Sequence, residues 1–577
     1  MSERFEVWAP YAQRVELVLD GGRIPMSSTG GGWFEADADA APGAHYGFSL
    51  DGGDPLPDPR SAWQPNGPHA LSRVVDHSAF EWSDGGWRGS PLAAGVIYEL
   101  HIGTFTDEGT FEAAIGRLPH LVDLGVTAVE LLPVAEFSGD HGWGYDGVDL
   151  FAPHHAYGEP DDLKRLVDAC HAHGLAVIMD VVYNHLGPSG NYLGQYGPYF
   201  TERYATPWGQ AVNFDGAGSA AVRAFFIENA LMWLDDYHCD GLRLDAVHAI
   251  LDSSALHILE EIAINVERLA NHLGRDLFTI AESDLNDPRV IQRREAGGYG
   301  MDAQWSDDFH HALHSVITGE TNGYYSDFGN VEHLAIALEE AFVYGGRYSA
   351  YRDRVHGRKP VGIPGKRFLA YIQNHDQIGN RATGNRLSAI VPPDLLKVAA
   401  ALVLTSPFVP MLFQGEEWGA TTPFLYFTNH PDEELGRAVS EGRKREFEAF
   451  GWDPASIPDP QDPGSFRRSK LNWDEMNEWP HEEVLEWHRA LIGLRREVPA
   501  LGDGDLEAVV TAFDEDQRAL VVQRGPVVIA ANFSDSDIEV PVENGDALEL
   551  LLSSSEETEW RDDALLLPPT SVAIWSA

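Results

Sequence analysis

The sequence predicts an α/β protein, a (β/α)8 TIM barrel flanked by an N-terminal and a C-terminal β-sandwich. Three observations carry this. Between residues 91 and 499, apolar runs of strand length alternate with helical stretches. Eight such runs are countable, the number that closes a barrel. At both ends of the chain the pattern turns into short strands broken by Gly, Pro and Asp. A chain of 577 residues is too long for one ordinary domain, which agrees with a tripartite reading.

The N-terminal unit, residues 1–90, reads FEVWAP, RVELVLD and HYGFSLDG, followed by a proline-rich exit marked by Pro55, Pro57, Pro59, Pro65 and Pro68. It is a structural or carbohydrate-binding module of immunoglobulin-like type, and the sequence offers no aromatic platform that favours binding. The barrel then opens with the strand GVIYELHI, the helix FEAAIGRLPHLVDLG, the strand VTAVELLPV, the helix DDLKRLVDACHAHG and the strand LAVIMDVV. After a long loop come VRAFFIENALMWLDDYHC, GLRLDAV, ALHILEEIAINVERLANHLG and LFTIAES. DAQWSD, FLAYIQNHD and PFVPMLFQG complete the strands, with the helix DLLKVAAALVLTS between the last two. Runs apolar on both faces fit a parallel sheet covered by helices. Residues 428–480 are charged and proline-rich, a helical insertion, and EEVLEWHRALIGLRREV closes the barrel region. From residue 500 to 577, LEAVVTAF, ALVVQRG, VVIAANFS, IEVPV and SVAIWSA form the second sandwich.

Composition narrows the function. With 40 Lys and Arg against 90 Asp and Glu, the net charge of −50 disfavours nucleic acid and anionic membranes as partners, and leaves a neutral substrate unpenalised. The 11% aromatic content suits the flat apolar faces of sugar rings, although most aromatics belong to cores. Cys170 and Cys239 are too few for a disulfide framework and are expected free and reduced. The start MSERFEVWAP has no charged and apolar leader pattern, and no run of about 18 apolar residues follows, so a soluble cytoplasmic enzyme is expected.

Barrel chemistry concentrates at the C-terminal ends of the strands. Asp180–His185 (DVVYNH) end the third strand, Arg243 and Asp245 the fourth, Glu282 the fifth, His375 and Asp376 the seventh. A carboxylate on an apolar strand is costly to desolvate, so four strands with polar tips point to one shared pocket. Glycoside cleavage needs a carboxylic acid to protonate the leaving oxygen and a carboxylate to meet the cationic sugar; Asp245 and Glu282 supply that pair. Arg243, two residues before Asp245 on the same strand face, is expected to keep it ionised. Glu282 has no base beside it in sequence, so a raised pKa suited to an acid is expected.

DVVYNH, GLRLDAVH, AES and QNHD occur in the order of the four motif regions of the α-amylase family of glycoside hydrolases, which the chain resembles. The resemblance implies Asp245 as nucleophile, Glu282 as general acid and base, and Asp376 as transition-state stabiliser. It also implies sugar-contacting or orienting roles for His185, Arg243 and His375, and for Tyr145 in GWGYDG, stacked under the reacting glucose. His248 stands where many amylases carry Lys. The chain is further similar, over nearly its whole length, to the maltooligosyltrehalose trehalohydrolases, through ELHIGTFT, YNHLGPSGNY, AESDLNDPR, DAQWSDDFHHALH, QNHDQIGNR and FQGEEWGATTPFLYFTNH. That likeness implies a retaining hydrolase that cleaves the α-1,4 bond adjoining a terminal trehalose. Acceptor-side groups are then sought after the sixth strand in Asp307, Asp308, His310 and His311, and after the seventh in Gln377, Asn380 and Arg381; Trp208 in the third loop offers a stacking face.

The rivals are a glycogen branching enzyme, a transferase with the same barrel and acids, and a non-catalytic glucan-binding protein. No cofactor and no metal are expected. His154, His155, His171 and His173 lack a convincing set of partner ligands, no dense Asp and Asn cluster near DVVYNH suggests calcium, and Gly139, Gly142, Gly144 and Gly147 read as turn glycines.

Overall fold

The computed structural model describes residues 2–449, 457–541, 548–561 and 564–577; residues 450–456 of the charged insertion lie outside them. Eight parallel strands form a closed barrel: β1 Ile97–Leu100, β2 Ala128–Leu131, β3 Ala176–Val181, β4 Gly241–Leu244, β5 Phe278–Ala281, β6 Ala303–Trp305, β7 Phe368–Ala370 and β8 Val409–Phe413. They pair in chain order, and β8 closes onto β1. Every residue of these strands is buried, which is why their sequences show no polar alternation.

The two-residue period of the strands sets the height of each inward side chain. Ile97, Ala128, Ala176, Ile178, Phe278, Ile280, Ala303, Trp305, Leu369, Tyr371, Val409 and Met411 form a separate apolar cluster inside the barrel. Continuing each series by two residues toward the C-terminal end reaches Glu99, Glu130, Asp180, Glu282, Asp307, Gln373 and, on β8, Phe413. On β4 the same series is Gly241, Arg243 and Asp245. Gly241 is required there, because a Cβ would lie 2.3 Å from the Phe278 ring. The apolar floor thus becomes a layer of acids around one arginine, toward the ends where the βα loops converge.

Two predicted elements differ in detail. FEAAIGRLPHLVDLG forms two helices, Phe111–Ile115 and Leu118–Leu124: Thr110 caps the first, the chain breaks at Gly116 and Arg117, and Pro119 starts the second. The long third loop carries an antiparallel hairpin, Phe200–Thr206 with Gly209–Val212, whose turn holds Trp208.

The N-terminal strands form a three-stranded and a five-stranded antiparallel sheet, running from Ser2 to Arg73. The C-terminal strands form sheets of five and three, from Val509 to Ser576. Both units share one continuous apolar cluster with the outer barrel helices. Arg524 of the second sandwich donates to the carbonyls of Thr405, Ser406 and Leu501, tying it to the barrel. Cys170 and Cys239 are free and buried. Among the described residues, no helix is long and apolar enough to cross a membrane.

Candidate active site

Arg243 organises the barrel mouth. Its Nη1 donates to Asp180 Oδ2 at 2.5 Å and to Asp245 Oδ1 at 3.1 Å, and its Nη2 ion-pairs with Glu282 Oε2 at 2.8 Å. The Trp305 ring lies 4.2 Å from its guanidinium carbon, a cation–π contact that suits a desolvated charge. Glu282 Oε2 also accepts from the Ala246 amide at 2.7 Å.

A second chain of contacts enters from β1. Glu99 accepts from His375, at 2.5 Å from Nδ1 and 2.9 Å from the backbone N–H. His375 Nε2 lies 2.8 Å from the Tyr145 hydroxyl, which donates to Asp180 at 2.7 Å. Burial alone would depress the His375 pKa, but Glu99 lifts it to about 9, so the ring is a cation at neutral pH with both nitrogens donating. Asp376 begins the next turn, in the short helix His375–Gly379 capped by the Asn374 side chain. Its Oδ1 accepts from Asn380 Nδ2 at 3.0 Å, and Asn380 accepts from Arg443 of the insertion helix at 2.9 Å.

The electrostatics reverse two expectations. Arg243 was expected to serve Asp245 and leave Glu282 without a base; in space it reaches both. Burial and the nearby Glu282 push the Asp245 carboxyl well above its ordinary range, more than Arg243 can offset. For Glu282, burial is overcome by Arg243 and the Ala246 amide, which hold it below its ordinary range. Sequence adjacency missed this because β4 and β5 are hydrogen-bonded neighbours, with Arg243 and Glu282 at the same end of the barrel. Beneath them Glu130 is buried with both carboxylate oxygens unpartnered, and its pKa is raised by burial and by Glu99.

Two cavities meet over these acids. The first, about 440 Å³, is lined by Trp143, Tyr145, His185, Trp208, Asp245 and His375, among others. The second, about 290 Å³, is lined by Asp307, His311, Glu320, Tyr324, Tyr325, Arg352, Gln377 and Arg381, among others. His248, Glu282, Asp376 and Asn380 border both. Burial drops the His185 pKa to about 4, leaving a neutral ring stacked on Trp208 at 4.9 Å. A bond held across the shared wall therefore has carboxylates beside it and aromatic rings on both sides, which is the layout of a cleft cut across its length.

The chain matches the family described as "Alpha amylase, catalytic domain" over residues 77–204, and a "Domain of unknown function (DUF3459)" over residues 504–574. It is 51% identical to the malto-oligosyltrehalose trehalohydrolase of Rhizobium sp. (strain M-11), over 99% of this chain and 97% of that protein. The protein of the same name from Arthrobacter ramosus is 52% identical, over 94% and 95%. The chain belongs to the malto-oligosyltrehalose trehalohydrolase family. A 1,4-alpha-glucan branching enzyme from Corynebacterium jeikeium is 29% identical over 72% of this chain and 61% of that protein. A crystal structure of a candidate alpha amylase from Salmonella typhimurium superposes with a TM-score of 0.92, at 40% identity, covering 100% of this chain and 97% of that one. A pullulanase from Anoxybacillus sp. LM18-11, 18% identical with a TM-score of 0.74 over 99% of this chain and 86% of that one, shares the fold.

Of the residues predicted for the trehalohydrolase site, the structure gathers Tyr145, His185, Arg243, Asp245, His248, Glu282, Asp307, His311, His375, Asp376, Gln377, Asn380 and Arg381 at the two cavities or directly beneath them. Asp308 and His310 lie elsewhere. On the helix Asp307–Thr318, Asp307 and His311 are four residues apart and share the cavity face. Asp308, a third of a turn away, is buried and accepts from Asn286 and the Tyr344 amide. His310 is fully buried, 3.1 Å from the Tyr325 hydroxyl and stacked on Tyr371. Arg381 spends its guanidinium on Glu320 at 2.8 Å to each oxygen.

Glu99 and Glu130 were legible in principle, as acids on apolar strands. Glu320, Tyr324, Arg352 and Arg443 come from loops and the insertion, where no periodicity marks them. One histidine pair has a ligand-type neighbour that sequence did not supply: Glu136 lies 3.3 Å from His154 Nδ1 and 2.8 Å from His155 Nδ1. Glu136 accepts from the His155 amide and ring. His171 is held by Asp84 and Asp240.

Proposed function

We propose that this chain hydrolyses the α-1,4-glucosidic bond adjoining the terminal trehalose of maltooligosyltrehalose, releasing trehalose and a shortened maltooligosaccharide. The observation that carries the reading is the pair of cavities sharing Glu282 and Asp376, with Asp245 in the first: a glucan arm fits the first cavity and trehalose the second. In the proposed reaction Asp245 Oδ attacks the anomeric carbon while Glu282 gives its proton to the departing glycosidic oxygen, so trehalose leaves neutral and a glucosyl ester remains on Asp245. Water then attacks that carbon, Glu282 takes its proton, and the Asp245 carboxylate is released; the net change is addition of one water across the bond. Asp376 grips sugar hydroxyls, and cationic His375 offers a donor beside it. We place the reaction in the cytoplasm, consistent with two free cysteines, and assign it to a barrel of residues 91–499 between sandwiches of residues 1–90 and 500–577.

The test is product analysis on maltooligosyltrehalose and on amylose. Free trehalose from the first substrate is expected. New α-1,6 branches without hydrolysis would move the chain to the transferases, and binding without any product would make it a glucan-binding protein.

A further inference from the structure

A third cavity, about 810 Å³, lies outside the two that meet at the acids, between the loop after β1 and the segment Pro463–Asp474. It shares one residue with the first cavity, His141. The His141 ring stacks on Phe466 with centroids 4.7 Å apart and planes 15° from parallel, and its Nε2 is buried without a hydrogen-bond partner. The groove and the first cavity are therefore opposite faces of one thin partition. The second cavity, with Arg381 and Tyr325, does not touch it.

In a chain of net charge −50 this groove is lined by three bases, Arg117, Arg467 and Lys470, and three acids, Asp107, Glu108 and Asp474. Arg117 places its guanidinium 4.3 Å from the Trp473 ring centre, and Lys470 donates to the Asp107 carbonyl while lying over Phe466. Arg467 is exposed, and among the described residues its guanidinium has no hydrogen bond or ion pair, although acids outnumber bases 90 to 40. Exposed Asn472 and Asp474 add a donor and acceptors. Uncommitted donors beside acceptors and a half-buried aromatic face suit a neutral polyhydroxyl chain, whose hydroxyls need both and whose ring faces are apolar.

We infer that this groove is a remote binding site for the glucan arm of the substrate, entered past His141, so that a long arm gains contacts a short one cannot reach. The inference rests on the proposed hydrolysis of maltooligosyltrehalose, and it adds a chain-length preference located at Phe466, Arg467 and Asn472.

The experiment compares kcat/KM for trehalose release from maltosyltrehalose and from maltopentaosyltrehalose, in the full-length protein and in the variants Arg467→Ala, Asn472→Ala and Phe466→Leu. The wild type is expected to favour the longer arm, and each variant to shrink that advantage about threefold to tenfold through KM, the loss expected for one hydrogen bond or one ring face. Arg467 and Asn472 are exposed, so unchanged melting temperatures in those two variants separate the effect from misfolding. Equal kcat/KM for both arms in the wild type, or variants that keep the wild-type ratio, would overturn the inference while trehalose release stands. No trehalose from either arm would overturn the proposed function itself.

Discussion

Replacing Glu99 by Gln removes the charge that keeps His375 protonated, and the structure sets the size of the effect. Both residues are buried, His375 Nδ1 lies 2.5 Å from Glu99, and the imidazole pKa rises from 6.5 to about 9. At about 1.4 kcal/mol per pH unit, that is a stabilisation of the cation by about 3 kcal/mol. The folded protein binds this proton more tightly than the unfolded chain, so the contribution is complete below about pH 6.5 and is lost as pH rises through about 9. In Glu99→Gln only the weaker attraction of Asp376 still opposes burial, and the ring's pKa is expected to fall steeply. Denaturant unfolding at pH 6 should show the variant less stable by up to about 3 kcal/mol, with the gap narrowing by pH 9.5. The alkaline limb of kcat/KM, which the reading ties to His375, should move from near pH 9 to below neutrality. A variant that keeps the wild-type alkaline limb, or a stability gap equal at both pH values, would refute the reasoning.

Asp245→Asn should lower kcat by about 10⁴-fold or more, as loss of a nucleophile does, while the melting temperature holds because the amide keeps the size of the buried carboxyl; turnover within tenfold of wild type would contradict the nucleophile assignment. Trp208→Ala removes a face that is 47% exposed over His185; KM should rise about threefold to tenfold with kcat little changed, and a fall in kcat at constant KM would assign the ring another task. Burial and the neighbouring acids lift Asp307 to about 7, against the hydrogen bond from Tyr371. A carboxyl that binds its proton more tightly when folded makes the protein less stable as pH rises from about 4 to about 7. Asp307→Asn should remove up to about 4 kcal/mol of that decline, and parallel stability curves for variant and wild type from pH 4 to pH 8 would sink the assignment.

The barrel was legible because its strands are short and buried on both faces, while most of the helices between them are longer and keep a polar face, so the pattern switches at most boundaries. The acids were legible because a charge on such a strand has few reasons to exist. Legibility failed where position depends on what lies across space. Glu282 follows an apolar strand with no base nearby in sequence, yet strand pairing puts Arg243 against it. His310 and His311 look alike in sequence, but the helical period turns His311 to the cavity and buries His310 against Tyr325 and Tyr371. Arg443 reaches Asp376 through Asn380, from a helix whose sequence reads as a solvated charged stretch.

The division of one proton between Asp245 and Glu282 then becomes the central question of mechanism. Arg243 touches both, but the Ala246 amide adds a second donor to Glu282 alone, which lowers the proton affinity of Glu282, while burial and the nearby Glu282 raise that of Asp245. The proposed reaction needs the opposite arrangement, an ionised nucleophile and a protonated acid. Two such carboxyls titrate as a pair, so a modest change in surroundings suffices to exchange their roles. A glycosidic oxygen placed against Glu282 supplies it: turning toward that oxygen takes the carboxyl away from Arg243 Nη2 and the Ala246 N–H, which raises its proton affinity. Arg243 is then left to Asp180 and Asp245, which lowers that of Asp245. In the proposed reaction substrate binding and proton exchange are coupled through a single guanidinium, and a sugar bound only in the first cavity, without a bond reaching across Glu282, leaves the proton affinities of the two carboxyls unexchanged.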